Sequence, residues 1–193
     1  NMMTTLTAKY DLKLGQHAVN FLVGTSYEHY KSERLYSKRT DFVSDGLEDI
    51  EQGNNISKDL PDGRGIVESK MLSYFGRINY SYKDRYLFEA NLRADASSRF
   101  HKDNRWGWFP SFSAGWRISE ESFMKPIAWL NNLKLRASYG TLGNINNVGY
   151  YDYFELLSSN ANYNFNDEPV KGVLEAQITN KTLGWETVAL ADF

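Results

Sequence analysis

Cysteine is absent from all 193 residues, which removes disulfide scaffolds, thiolate zinc sites and cysteine nucleophiles together. It fixes no redox compartment, because reducing and oxidising locations both tolerate it. An excess of charge of one sign is lacking too: 22 Lys+Arg stand against 24 Asp+Glu, for a formal net charge of −2. With a pI near 6.0 there is no electrostatic reason to expect nucleic acid as a partner. No window approaches the roughly 18 apolar residues of a membrane helix, and mean hydropathy is −0.55. A helical membrane protein is excluded. A transmembrane β-barrel stays open, since its average hydropathy is unremarkable. No basic segment followed by an apolar one opens the sequence, so no signal peptide is visible.

Catalytic and metal signatures are missing as well. There is no G-x-S-x-G, Walker A or G-x-G-x-x-G match. His17, His29 and His101 are too far apart in sequence for a local metal pair and read as polar surface or girdle residues. The acidic stretch 41–51 invites a calcium-loop reading, but Val43 fails the third position and Gln52 the twelfth, so a solvated loop is expected. The triplets beginning at Asn55 and Asn180 match the glycosylation sequon, a frequent chance match in Asn-rich loops. Glu89 and Asp95 share a strand face, but at about 3.3 Å per residue they stand roughly 20 Å apart, too far for paired-carboxylate chemistry. No enzyme, metal or cofactor is expected.

What the chain has is aromatic residues in alternation: 13 Tyr, 11 Phe and 5 Trp, 15% of the chain. The sharpest stretch is 86–100. One face carries Tyr86, Phe88, Ala90, Leu92, Ala94 and Ala96, and the other Leu87, Glu89, Asn91, Arg93, Asp95, Ser97 and Arg99. A helix would scatter those charges around its circumference, whereas a strand sorts them. Residues 71–82 alternate likewise, and the short polar Lys83-Asp84-Arg85 joins the two runs into one hairpin. Each arm is about a dozen residues, longer than the roughly 5–6 of soluble strands and enough for the roughly 9–11 that cross a bilayer.

The pattern recurs at 4–14 and 17–30 around Gly15-Gln16, then at 109–119, 133–141 and 185–193. Connectors at 15–16, 83–85 and 120–132 are compact. Those at 37–69 and 142–182 are long and polar, the second with room for a short strand at 173–179, and 100–108 is intermediate. Compact and longer connectors alternate strictly, as in an up-and-down sheet with turns at one end and elaborated loops at the other. Tyr80, Tyr82, Tyr86 and Phe88 flank the Lys83 turn, while Trp106, Trp108 and Phe109 precede a strand at the opposite end. Rings at both edges of an apolar band read as interfacial girdles. No repeat of fixed length is present.

Three stretches, YFGRINYSYKDRYLFEANLRADASSRF, RWGWFPSFSAGWRISEESFMK and WLNNLKLRASYGTLGNINNVGYY, followed by TLGWET, resemble the barrel of SusC/RagA-type TonB-dependent outer-membrane transporters of Bacteroidetes. The resemblance is strongest over 70–158. It implies an all-β, antiparallel up-and-down transmembrane β-barrel of roughly 22 strands with a plugged lumen, of which residues 1–193 supply about seven or eight. No plug, TonB box or signal peptide is found in them, and the chain reads as a partial segment ending in Phe193. The resemblance also implies a SusD-like surface lipoprotein, TonB as energy source through a missing N-terminal region, and a cargo of oligosaccharide or peptide. Compact connectors would face the periplasm and long loops the outside. Glu89, Asn91, Arg93, Asp95 and Arg99 are candidate lumen-lining residues. Hydrogen bonding within the wall is their expected role rather than contact with plug or cargo. Tyr150, Tyr151 and Tyr153 would stack on sugars or pack within their loop. The rivals are a soluble all-β carbohydrate-binding module and a barrel enzyme.

Overall fold

A computed structural model describes residues 1–36, 63–127, 129–165, 168–175 and 179–193. The stretch 41–51 and the Asn55 triplet lie outside the described residues. Among the described residues nine strands follow in chain order: β1 Met2–Leu14, β2 His17–Tyr36, β3 Gly63–Tyr82, β4 Tyr86–Ser97, β5 Trp106–Arg117, β6 Lys134–Asn144, β7 Leu157–Phe165, β8 Glu168–Glu175 and β9 Glu186–Asp192. Seven of them form one antiparallel sheet in the order β1-β2-β3-β4-β5-β6-β9. Each strand therefore pairs with its neighbour in the chain, except that β6 passes over the separate β7–β8 hairpin to reach β9.

The register joins the alternation of each strand to that of the next. Ile78 stands opposite both Phe21 and Ala90, and Ala90 opposite Phe112, so one apolar row crosses four strands. One residue along, Asn79 stands opposite Asn20 and Glu89, and Glu89 opposite Ser113. Because opposed residues of an antiparallel pair point to the same side, the sheet has one apolar and one polar face. Large residues of the apolar face, among them Phe21, Tyr74, Phe88, Leu92, Trp108, Phe112 and Tyr139, are exposed. Among the described residues no second layer covers them, and the buried apolar residues are only Ala94, Phe100 and Phe109.

Several boundaries differ from those the sequence suggests. β2 and β3 are 20 residues each and pair from His17↔Tyr82 to Tyr36↔Gly63, so the strand expected at 17–30 continues to 36, and 63–69 is strand rather than loop. Their polar residues pair locally (Lys31 with Glu33 at 2.8 Å, Lys70 with Glu68 at 3.1 Å), which holds an extension that no apolar alternation announces. β5 starts at Trp106, so Trp106 and Trp108 lie within a strand. Phe109 takes the opposite face and is buried, not part of a girdle. The short strand expected at 173–179 overlaps β8, which pairs with β7 as a hairpin, while residues 176–178 lie outside the described residues.

Both ends of the sheet carry aromatic ladders on the apolar face. At the turn end Tyr82 stacks on Tyr86 at 6.3 Å and Tyr86 on Trp116 at 6.4 Å. His17 joins there, its Nδ1 2.8 Å from the Tyr80 hydroxyl. At the loop end Tyr74 stacks on Trp106 at 5.9 Å.

Candidate functional site

The polar face is where chemistry is available, and its side chains engage one another across strands. Asn20 Nδ2 donates to Asp11 Oδ1, and Asn79 Nδ2 donates to Asn20 Oδ1 at 3.4 Å. Arg77 Nε donates to Asn91 Oδ1 at 2.7 Å, and Asn91 Nδ2 donates to Glu89 Oε1 at 2.8 Å and Ser111 Oγ at 3.3 Å. Arg93 gives Nε to Asp95 Oδ2 at 2.8 Å and Nη2 to Ser73 Oγ at 2.9 Å, with its guanidinium 5.6 Å from the Phe75 ring. Asp95 is 7% exposed, and its Oδ1 is buried without a hydrogen-bond partner. Arg77, Glu89, Asn91, Arg93, Asp95 and Ser111 border a concavity of about 840 Å³, which Arg136 and Ser138 also line.

Four of the five candidate residues, Glu89, Asn91, Arg93 and Asp95, thus share this face. Arg99 does not share their strand. β4 ends at Ser97, and Ser98 N turns to the Lys70 carbonyl at 2.9 Å, which breaks the alternation. Arg99 Nη1 instead donates to the carbonyls of Ile145 at 3.4 Å and Val148 at 3.1 Å, and the guanidinium lies 4.2 Å from the Tyr150 ring centre. Tyr150 stacks in turn on Tyr30 of β2 at 6.0 Å, and Tyr153 packs on Phe154 at 4.3 Å.

A second fastening involves Trp185, from the TLGWET stretch. Its Nε1 donates to the Arg105 carbonyl at 2.7 Å, and its ring meets Phe100 and Phe109, each at 5.3 Å. Gly107 and Gly143 lie against the Phe109 ring, where a Cβ would collide with it. Sequence reasoning missed these partnerships, and also Arg77 and Ser73 as companions of Asn91 and Arg93. Arg77 and Ser73 were available from alternation once the register was known. Trp185 had no local signal, because its partners are about eighty residues away.

At the turn end, Glu121 gathers three donors: Tyr86 OH at 2.7 Å and Trp116 Nε1 at 3.1 Å on Oε1, and Arg85 Nη1 at 3.0 Å on Oε2. The Tyr86 and Trp116 hydrogen bonds, with the Arg85 charge, hold its carboxyl below the usual glutamate range. His29 Nε2 lies 2.9 Å from Glu68, and His101 Nδ1 lies 3.1 Å from Asp103. Asn180 Oδ1 accepts from both the Thr182 amide and hydroxyl, a local turn that spends the amide oxygen of that sequon.

Comparison with known proteins agrees with this architecture. The family described as TonB dependent receptor-like, beta-barrel matches residues 1–189. TonB-dependent receptor SusC of Bacteroides thetaiotaomicron is 34% identical over 189 residues, 96% of this chain and 18% of the relative. TonB-dependent receptor P39 of Formosa agariphila is 34% identical over 178 residues, 92% of this chain and 17% of the relative. The structure of the RagAB peptide transporter superposes with a TM-score of 0.82 at 30% identity, over 96% of this chain and 20% of that one. The chain therefore spans about a fifth of the length of the proteins it matches.

Proposed function

From the membership just established, that this chain belongs to the TonB-dependent receptor β-barrel family and lies in the bacterial outer membrane, we propose that it is a wall segment of a nutrient importer. The apolar face meets lipid, and the polar face, with Glu89, Asn91, Arg93 and Asp95, lines the lumen. Compact connectors at 15–16, 83–85 and 118–133 face the periplasm and the long loops face outward, the usual division in such barrels. The whole protein takes up oligosaccharide or peptide, works with a SusD-like surface lipoprotein and draws its energy from TonB. Its named relatives are receptors and transporters, and this reading assigns the segment no catalytic step.

The observation that carries the reading is the two-faced single sheet. Apolar side chains left exposed across one face have no covering layer in water, whereas bilayer hydrocarbon satisfies them. A soluble sandwich would need a second sheet packed about 10 Å away, and this sheet has none among the described residues. On the polar face Arg93 pairs with Asp95 and Lys9 with Asp11, which suits a wall that must stay rigid while cargo passes. Arg99 and Trp185 act at the loop end as fasteners of the outer connectors rather than as lumen residues.

The test is genetic and uses the full-length protein. Deleting its gene in the source organism should abolish growth on one class of oligosaccharide or peptide as sole nutrient. The full-length receptor should then copurify with a lipoprotein from detergent-extracted outer membranes. Unchanged uptake of every peptide and glycan supplied, with the protein in the soluble fraction, would refute the proposal.

A further inference from the structure

The connector between β5 and β6 descends through successive turns: Glu121 N donates to Ile118 O, Met124 N to Glu121 O, Ile127 N to Met124 O and Leu130 N to Ile127 O, at 3.0 to 3.1 Å. Turns closed every third residue place side chains three apart on one edge, as in a 3-10 helix. Exposure follows that period. Glu121 is buried and Met124, Ile127 and Leu130 are half-buried, whereas Phe123, Pro126 and Trp129 are exposed, Phe123 at 61% and Trp129 at 81%.

The side of the sheet on which this staircase lies is set by Glu121. Two of its donors, the Tyr86 hydroxyl and the Trp116 indole, belong to the apolar face, so the connector folds back toward that face and not across the polar one. Glu121 thereby holds the start of the connector against the aromatic ladder of Tyr82, Tyr86 and Trp116.

We propose that this connector is a membrane-interface foot. Phe123, Pro126 and Trp129 seat in the boundary between headgroups and acyl chains of the leaflet at the turn end, and phospholipid is the occupant. A Trp there keeps its indole N–H among polar groups while its ring leaves water. Lys125, exposed beside Pro126, reaches toward lipid phosphates with its stem along the apolar edge. The foot explains why large side chains are displayed on a connector whose carboxylate is so thoroughly tied down. It rests on the lipid-facing reading of the sheet, which the test checks separately.

The experiment places nitroxide labels in a cysteine-free, full-length protein reconstituted in phosphatidylethanolamine–phosphatidylglycerol vesicles. Labels follow Phe123→Cys and Trp129→Cys, with Phe112→Cys as the mid-band reference and Lys102→Cys as the loop-end reference. Both test side chains are exposed, so labelling leaves the packing intact. Power saturation should show both foot positions more accessible to oxygen than to a soluble nickel chelate, at shallower depth than position 112. A nickel-favoured result like that at position 102 would put the edge in water and overturn the proposal. Exclusion of both reagents would mean that protein covers it, and would overturn it equally. A nickel-favoured result at position 112 would instead overturn the lipid-facing reading of the sheet itself.

Discussion

At the scale of single residues, the polar face shows how a charge is kept in a thin wall. Asp95 has one carboxylate oxygen on Arg93 and the other buried and unpaired. Removing the guanidinium would leave a buried acceptor without its donor, which costs about 1–3 kcal/mol. Arg93→Met in the full-length protein should lower its thermal midpoint accordingly, read from the heat-dependent shift of its gel band. Arg93→Lys should recover only part, because one ammonium cannot reproduce the two-armed contact with Asp95 and Ser73. A second residue-scale constraint is steric. Gly143→Ala puts a methyl group into the Phe109 ring, and overpacking of this kind costs about 1–3 kcal/mol. Melting at the native temperature would show that the ring swings aside freely.

At the scale of elements, turns and connectors carry the specific chemistry. Lys83 and Asp84 both hold positive φ, 53° and 54°, a geometry that favours Asn-Gly. Replacing the pair with Asn-Gly should stabilise the β3–β4 hairpin by about 1 kcal/mol, seen as a higher urea midpoint. Glu121 makes its own pH prediction. Its folded value lies below the ordinary glutamate value of about 4.3, so the stability it contributes is present at neutral pH and above that ordinary value. The contribution is lost as pH falls through the depressed folded value. Amide protection in 118–133, taken relative to the intrinsic exchange rate at each pH, should therefore fall on acidification below about pH 4. In Glu121→Gln exchange should already be faster at pH 7 and respond less to acid. Equal exchange in the native and Gln forms at pH 7 would mean that the Tyr86 and Trp116 bonds do not hold the connector.

At the scale of the whole molecule, the seven-stranded sheet has only Ala94, Phe100 and Phe109 as buried apolar residues among the described ones. β1 and β9 each leave an edge unpaired among the described residues, and exposed flat edges invite pairing with other chains. These 193 residues expressed alone should aggregate from aqueous buffer, and in detergent should show strand content by circular dichroism without the heat-dependent gel shift of a closed barrel. A soluble monomer without detergent would contradict the wall assignment.

The sequence by itself determined which side of each strand is apolar, the place of the tight turns and the segregation of long from short connectors. These are local properties, since a period of two and a polar turn are written in consecutive residues. It did not determine the strand extensions at 31–36 and 63–69, whose polar residues show no alternation and are strand because each has a partner across β2 and β3. It did not show Arg99 leaving the strand for the carbonyls of 145 and 148, nor Phe109 turning to meet Trp185. Those depend on contacts between residues tens of positions apart. The tertiary structure decided which of the polar residues meet: strand register brings Arg77 to Asn91 and Arg93 near Ser73, and the path of the β5–β6 connector brings Glu121 to Tyr86, and only then does charge become pairing.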